Sequence, residues 1–197
     1  MNRSKLLPPD TIEGKLNPSR RRFLKQLGGF SLLAFSSCNN TSLASRIVHN
    51  SAKTISLNNI NTGDKLKLTY FEHGRYIEDA LQEISFLFRD FRSGDIHHVD
   101  PLLIDQLYHV KQILEIDKAF EVICGYRSPN TNASLHKQNH RVAEHSLHME
   151  GRAIDIRISG LETLNLRNAA MSIRSGGVGY YPRENFVHLD TGNIRTW

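Results

Sequence analysis

The sequence is poor in cysteine and has no long hydrophobic run. Only two of its 197 residues are cysteines, which excludes a scaffold held together by several disulfides. Its most apolar stretch, residues 27–35, is shorter than the roughly 20 residues that a membrane-spanning helix needs. With 39% hydrophobic residues and a mean hydropathy of −0.41, the chain is neither a multi-span membrane protein nor wholly disordered.

Most of the chain also lacks an excess of positive charge. The formal net charge of +5 arises from residues 1–44, which hold seven Lys and Arg against two Asp and Glu. The remaining 153 residues carry eighteen charges of each sign and all ten histidines. Because this part has no basic surplus to neutralise a phosphate backbone, the composition excludes nucleic acid as a partner.

The first 44 residues have the pattern of an export signal. Residues 19–25 are Ser-Arg-Arg-Arg-Phe-Leu-Lys, and a short apolar run at 27–35 and a polar stretch at 36–42 follow. A basic region, an apolar core and a small-residue exit are typical of a signal peptide, and the paired arginines resemble the twin-arginine signal. That resemblance implies the twin-arginine translocation machinery as a partner, folding before export, and action in the periplasm.

The sequence allows two ways of processing this signal. Ser42 and Ala44 supply the small residues of a cleavage site, so we expect a signal over 1–44 and one domain over 45–197, with no stable membrane span. Alternatively, residues 35–38 faintly resemble a lipoprotein box, with lipidation at Cys38. After cleavage at Ala44 only Cys124 remains, so no intrachain disulfide can form, and its apolar neighbours predict a buried, unreactive thiol.

Hydrophobic spacing divides the first half of the domain into a hairpin, two helices and a buried strand. Two runs rich in β-branched and aromatic residues, separated by Asn-Thr-Gly-Asp, predict the hairpin. Apolar residues at intervals of three and four predict both helices, and Asp100-Pro101 supplies a cap and a first-turn proline for the second. The predicted elements are strands at 53–57, 65–71 and 120–125 and helices at 76–92 and 101–115.

The second half contains shorter elements. Ser128-Pro129 predicts the start of a short helix, which a polar, His-rich connection at 133–146 follows. Alternation predicts strands at 152–158 and 186–190, a helical pattern covers 161–173, and a Gly-rich strand or turn covers 176–181. Helices followed by short strands predict an α+β domain with a single antiparallel sheet and helices packed mainly on one face.

Two of these strands carry residues that can bind a metal. Alternation directs Ile154 and Ile156 to the core and Asp155 to the opposite face, and it directs His188 away from the core in the same way. If the strands are antiparallel neighbours, Asp155 and His188 meet, and His148 can approach from its loop. Three protein ligands would leave a fourth position for water, as in catalytic zinc sites. The alternative is that these are surface or hydrogen-bonded residues.

Two motifs resemble those of the M15-type zinc peptidases. They are Ser-x-His-x-x-Gly-x-Ala-x-Asp at 146–155 and Val-His-Leu-Asp at 187–190. The similarity is stronger to the family's twin-arginine-exported branch of murein endopeptidases and extends over nearly all of the mature chain. It implies one zinc ion (Zn2+) per chain, held by His148, Asp155 and His188. It also implies hydrolysis of peptide cross-links between peptidoglycan peptide stems during cell-wall remodelling, of L,D type between diaminopimelate residues.

The resemblance assigns further site residues. Arg127, in a motif at 125–128, would hold a substrate carboxylate or the oxyanion by charge-assisted hydrogen bonds. Tyr126 and Ser146 would contact substrate, although Ser146 can instead cap the segment that carries His148.

The expected general base is missing. Many relatives carry an acidic residue where this chain has Asn185, which cannot accept a proton. Asp190 is the first candidate for the base, with Glu184 and His145 as alternatives, and Asp190 can instead orient a metal-binding His. Two other functions therefore stay open: a D-Ala-D-Ala carboxypeptidase, and a non-catalytic, zinc-containing peptidoglycan-binding domain.

Overall fold

The structure is a computed structural model that describes residues 52–140 and 142–197. The predicted export signal at 1–44, with its cleavage site and Cys38, lies outside these residues. No helix in the described ranges is both long enough and apolar enough to cross a bilayer.

An eight-stranded sheet runs through the described part of the chain. Its order is β3-β2-β1-β4-β5-β7-β6-β8, so the strands that carry the predicted metal ligands, β5 and β7, are neighbours near its centre. The strands are β1 (Lys53–Asn59), β2 (Lys65–Glu72), β3 (Arg75–Tyr76), β4 (Phe120–Cys124), β5 (Ala153–Arg157), β6 (Gly177–Tyr181), β7 (Phe186–Asp190) and β8 (Arg195–Thr196).

The sheet is mixed, so the prediction of a purely antiparallel sheet is wrong. β1 pairs with β4 in parallel, and β6 pairs with β8 in parallel. Two helices, α1 (Glu78–Leu87) and α2 (Pro101–Leu114), lie between β3 and β4 in the chain. A crossover of this kind returns the chain to the same end of the sheet, which a parallel neighbour requires. Hydrophobic alternation indicates which face of a strand is buried but not the direction in which it runs.

The predicted hairpin and the predicted helix starts at Asp100-Pro101 and Ser128-Pro129 are confirmed. β1 and β2 pair antiparallel, and the Asp100 side chain accepts a hydrogen bond from the backbone N–H of Leu102 at the start of α2. Ser128 caps α3 (Pro129–Gln138) in the same way. This helix continues into the predicted polar connection at 133–146. The sequence does not indicate this extension, because the buried residues of the helix are the polar Thr131 and Asn132 and no apolar stripe marks it.

The apolar core lies on one side of the central strands. Buried side chains of α1, α2 and α4 (Thr163–Ile173) share one hydrophobic cluster with the inward residues of β5 and β7. Those inward residues are Ile154, Ile156, Val187 and Leu189, all at most 2% exposed. The alternation therefore places Asp155 and His188 on the opposite face of the sheet, as predicted.

Candidate metal centre

The central feature of this face is a row of cross-strand neighbours. β5 and β7 are antiparallel, and their register pairs Asp155 directly with His188. The same register logic places Cys124 of β4 beside Asp155 and Gly179 of β6 beside His188. Four adjacent strands thus align four residues across the sheet, with the two candidate metal ligands in the middle.

His148 reaches this row from a short 3-10 helix, Leu147–Glu150. Ser146 caps that helix, because its hydroxyl accepts a hydrogen bond from the backbone N–H of His148 at 3.4 Å. Gly151 ends it in the left-handed conformation, where an added Cβ would lie 2.1 Å from the carbonyl oxygen of His98. The cap and the glycine together fix where His148 leaves the backbone.

The three candidate ligands converge on one point. His188 Nδ1 lies 2.8 Å from Asp155 Oδ1 and 3.2 Å from His148 Nε2, and His148 Nε2 lies 3.4 Å from Asp155 Oδ1. Donors bound at about 2.0–2.1 Å to a single tetrahedral zinc ion lie about 3.3 Å apart. The three distances lie close to this spacing, so the three side chains can share one metal ion after small shifts, the largest between His188 and Asp155.

In each imidazole, the ring nitrogen that does not face the other candidate ligands lies within hydrogen-bond distance of an oxygen atom. His148 Nδ1 lies 2.7 Å from the carbonyl oxygen of Gly125, which can only accept, so this nitrogen carries the proton and Nε2 is left for a metal. His188 Nε2 lies 3.1 Å from Asp190 Oδ2, which leaves Nδ1 for a metal. Such outer hydrogen bonds fix the tautomer and the ring orientation of metal-binding histidines.

Cys124 approaches the same centre, which the sequence did not indicate. Its Sγ and donor atoms of His148 and Asp155 all lie within 4.8 Å of one another. However, Arg127 Nη2 lies 3.6 Å from this sulfur, whereas His188 Nδ1 lies within 3.2 Å of both Asp155 Oδ1 and His148 Nε2. The geometry thus offers two candidates, His188 and Cys124, for the third donor beside His148 and Asp155.

The charged groups of the site shift the pKa values of Asp155 and His148. Burial alone would raise the pKa of Asp155, but the charge and hydrogen bond of His148, with a further hydrogen bond from His188, hold it well below its usual value. For His148, burial lowers the pKa, but the Asp155 carboxylate and, after it, the Cys124 sulfur outweigh this and raise the pKa to about 10. A proton on His148 and a metal cation are thus alternative positive charges that can neutralise the buried Asp155 carboxylate.

Asp190 is saturated with donors and fully buried. Its Oδ1 accepts from the backbone N–H groups of Gly177 at 3.0 Å and Gly192 at 2.8 Å. Its Oδ2 accepts from Arg195 Nη2 at 2.7 Å as well as from His188. Burial raises its pKa, but the hydrogen bonds from His188, Arg195 and the two glycines outweigh this and lower it. This environment favours an orienting role over that of a general base.

Arg127 stands beside the centre. Its Nη1 donates to Asn132 Oδ1 at 3.1 Å, and its Nη2 lies 3.9 Å from Asp155 Oδ2. Its Nε is buried and has no hydrogen-bond partner. The guanidinium is therefore held through Nη1, and Nη2, which has only long contacts, retains donor capacity towards a bound anion.

A cleft of about 440 Å³ opens over the donors. Besides His148, Asp155 and His188, it is lined by Arg127, Ser146, His145 and Glu184. Tyr126 does not line it; its ring stacks on His97 instead, with centroids 5.0 Å apart. Asn185 lies in the turn between β6 and β7 with a φ of 57°, a conformation that Asn tolerates.

Sequence reasoning missed the aromatic side of this cleft. Tyr181, Phe186 and Trp197 all line it, and Arg195 holds Asp190. The sequence around these residues does not indicate a role, because their place in the cleft depends on the strand order β7-β6-β8.

Comparison with known proteins identifies the family. The family described as "Peptidoglycan L,D-endopeptidase MepK", a group of M15 peptidases, matches residues 48–197. The curated peptidoglycan L,D-endopeptidase MepK of Escherichia coli K12 is 44% identical over 145 residues, which cover 74% of this chain and 80% of that protein. A protein of Haemophilus influenzae, described as a probable peptidoglycan L,D-endopeptidase MepK, is 38% identical over 183 residues, 92% of this chain and 97% of the relative.

No solved structure shows a significant match. The family match covers three quarters of the chain, and it agrees with the resemblance that the two motifs carry. This chain therefore belongs to the M15-type peptidase family of peptidoglycan L,D-endopeptidases.

Proposed function

We propose that this chain is a zinc-dependent murein endopeptidase that hydrolyses L,D-type peptide cross-links, between diaminopimelate residues, in peptidoglycan. Membership of the family makes it a peptidoglycan-hydrolysing peptidase. The identity of the ion, the bond that is cut and the role of each residue are our proposal. The observation that carries it is the triangle of donors, with sides of 2.8, 3.2 and 3.4 Å, beneath an open cleft.

Zinc is the ion that this donor set favours. Two imidazole nitrogens and one carboxylate oxygen in a tetrahedral arrangement are typical of catalytic zinc sites, which leave the fourth position open. When bound, zinc would polarise a carbonyl group and lower the pKa of a water molecule. His148, Asp155 and His188 would hold it, and Asp190 would keep His188 in the required tautomer.

Arg127 would bind negative charge on the substrate side. Its place in the cleft lining and the long contacts of its Nη2, 3.9 Å to Asp155 and 3.6 Å to the Cys124 sulfur, suit a carboxylate of the stem peptide or the developing oxyanion. A guanidinium binds either through two parallel hydrogen bonds. Charge stabilisation of this kind, strongest in the transition state, raises kcat rather than substrate affinity.

The proton acceptor would come from the cleft rim. Asp190 has both oxygens engaged, and Asn185 cannot accept a proton. Glu184 and His145 both line the cleft and can accept one. Replacing each separately by Gln would identify the base, because only the loss of the true acceptor lowers kcat while zinc stays bound.

The proposed place of action is the periplasm. The twin-arginine pattern at 19–25 supports export, and the substrate of the named relatives is peptidoglycan, which lies outside the cytoplasm. Ser146 would act as the cap of the helix that carries His148 rather than as a nucleophile, because its hydroxyl is engaged with the His148 backbone.

The test is digestion of intact sacculi by the purified domain, with zinc and with a chelator, followed by separation of the muropeptides. We expect the loss of muropeptides joined between two diaminopimelate residues, no reaction with chelator, and recovery when zinc is restored. Release of terminal D-Ala from pentapeptides would instead indicate a carboxypeptidase. Absence of any chelator-sensitive product would contradict hydrolysis and favour a binding module.

A further inference from the structure

Three aromatic residues form one wall of the cleft, next to His188. The rings of Tyr181 and Phe186 stack with centroids 4.4 Å apart, and the indole of Trp197 lies 5.3 Å from the His188 ring. The indole Nε1 donates a hydrogen bond to the Tyr181 hydroxyl at 2.7 Å. We call these three residues the aromatic wall.

Trp197 is held in this position from several directions. Its backbone N–H donates to Val178, and its carbonyl oxygen accepts from Tyr180 at 2.9 Å, which extends the pairing of β8 with β6. The Arg195 guanidinium lies 4.9 Å from the indole centroid. The residue is nevertheless 49% exposed and lines the cleft, so it can contact a ligand there at little further cost in conformational entropy.

Gly179 makes room for the indole. This glycine is the cross-strand partner of His188, and its φ does not lie in the left-handed region. The three atoms nearest to a Cβ built on it are Cε2, Cζ2 and Nε1 of Trp197, at 2.7, 2.8 and 2.9 Å. A side chain at position 179 would therefore push the indole away, although the backbone could accept it.

Trp197 and Arg127 stand on opposite sides of the metal donors. Arg127 follows β4, whereas Trp197 follows β8, and the donor strands β5 and β7 lie between these two in the sheet. A ligand that crosses the centre would meet a cation on one side and an aromatic surface on the other.

We infer that Trp197 binds the aliphatic side chain of the stem residue next to the scissile bond. This inference rests on the proposed function. A diaminopimelate residue carries both a carboxylate, which suits Arg127, and a chain of methylene groups, which suits an indole face. The indole lies beside a metal-binding histidine, so the group that it contacts belongs to a residue at the cleaved bond rather than to the sugars further along the stem.

Kinetics of three variants test the wall. Trp197→Ala removes the indole, Gly179→Ala displaces it without removing it, and Phe86→Ala removes an equally exposed aromatic, also at 49%, that lies outside the cleft lining. We expect the first two to raise KM for a cross-linked muropeptide dimer about tenfold, the scale of burying one or two methylenes. The metal content and kcat should stay near wild type, and Phe86→Ala should change nothing.

The fluorescence of Trp197 gives a second readout that needs no turnover. The chain has one tryptophan, so emission of the zinc-loaded protein reports this site alone. We expect a saturable change on titration with the diaminopimelate-containing disaccharide tetrapeptide monomer, weaker in affinity for Gly179→Ala.

The two readouts separate this inference from the proposed function. Hydrolysis with an unchanged KM in both Trp197→Ala and Gly179→Ala would contradict substrate binding by Trp197 but not the proposed hydrolase function. A saturable emission change without hydrolysis would overturn the hydrolase and leave the wall standing. Absence of any emission change at saturating muropeptide would overturn the wall whether or not hydrolysis occurs.

Discussion

Asp190 accepts a hydrogen bond from Nε2 of His188 at 3.1 Å, so that Nδ1 of the same ring faces His148 and Asp155. This relationship links a fully buried carboxylate to the candidate metal centre through one imidazole. Asp190, the one carboxylate of the motif at 187–190, can therefore orient His188 without being a metal ligand itself.

Replacing Asp190 by Asn should weaken zinc binding. The amide keeps the shape of the side chain but is uncharged, so it loses the charge-assisted hydrogen bond that fixes the His188 tautomer. Loss of such a partner costs about 10–100-fold in metal affinity. Competition with a chromophoric chelator measures this, and excess zinc should restore most of the activity. Unchanged zinc affinity with lost turnover would instead make Asp190 the general base.

Replacing Arg127 by Lys should lower kcat. Lysine keeps the positive charge but loses the planar fork that binds an oxyanion or carboxylate through two hydrogen bonds. Loss of one oxyanion donor costs about 10²–10³-fold in kcat in other hydrolases. The control is Arg157→Lys, since Arg157, on the neighbouring strand β5, pairs with Glu121 at 2.6 Å and lies outside the cleft lining. A fall in both variants alike would point to a structural effect.

Stability at acid pH should depend on Asp90. This residue is 1% exposed and accepts from the backbone N–H of Ser128 at 2.9 Å. Burial raises the pKa of Asp90, but hydrogen bonds from Thr131, Ser128 and Arg92 outweigh this and lower it to about 2. A carboxyl group whose pKa is lowered on folding stabilises the fold at every pH above its pKa in the unfolded chain, which is about 4. This stabilisation is lost as the pH falls towards 2.

We therefore expect wild type to lose about 2 kcal/mol of unfolding free energy through this group between pH 5 and pH 2. In Asp90→Asn that part of the pH dependence should be absent, and the variant should already be less stable at pH 7. Urea unfolding at several pH values measures both. Parallel pH profiles for the two proteins would contradict this account of Asp90.

Export should require the arginine pair within residues 19–25. Replacing Arg20 and Arg21 together by Lys keeps the charge but removes the pair that the translocation receptor reads. The precursor should then accumulate in the cytoplasm, as cell fractionation and immunoblotting would show. Arg22→Lys is the matched control, because the twin-arginine pattern leaves that position undefined. Normal export of the double variant would disprove the twin-arginine assignment.

Local patterns predicted much of the fold and part of the site, for identifiable reasons. Alternation along 152–158 and 186–190 indicated the buried faces, which is why Asp155 and His188 were expected on the other face. The mixed sheet was not predicted, because strand direction depends on the helical crossover between β3 and β4. The approach of Cys124 and Trp197 to the centre was also missed, since it depends on which strands are neighbours, and that information is not local.

The central claim is that His148, Asp155 and His188 hold one zinc ion, and metal analysis of variants tests it most directly. Purified wild type should contain about one zinc per chain, the number that a single three-ligand site binds. His188→Ala should contain almost none, while Cys124→Ser and His109→Ala, an exposed histidine on α2, should match wild type. Full zinc content in His188→Ala, or its loss in Cys124→Ser alone, would contradict the account.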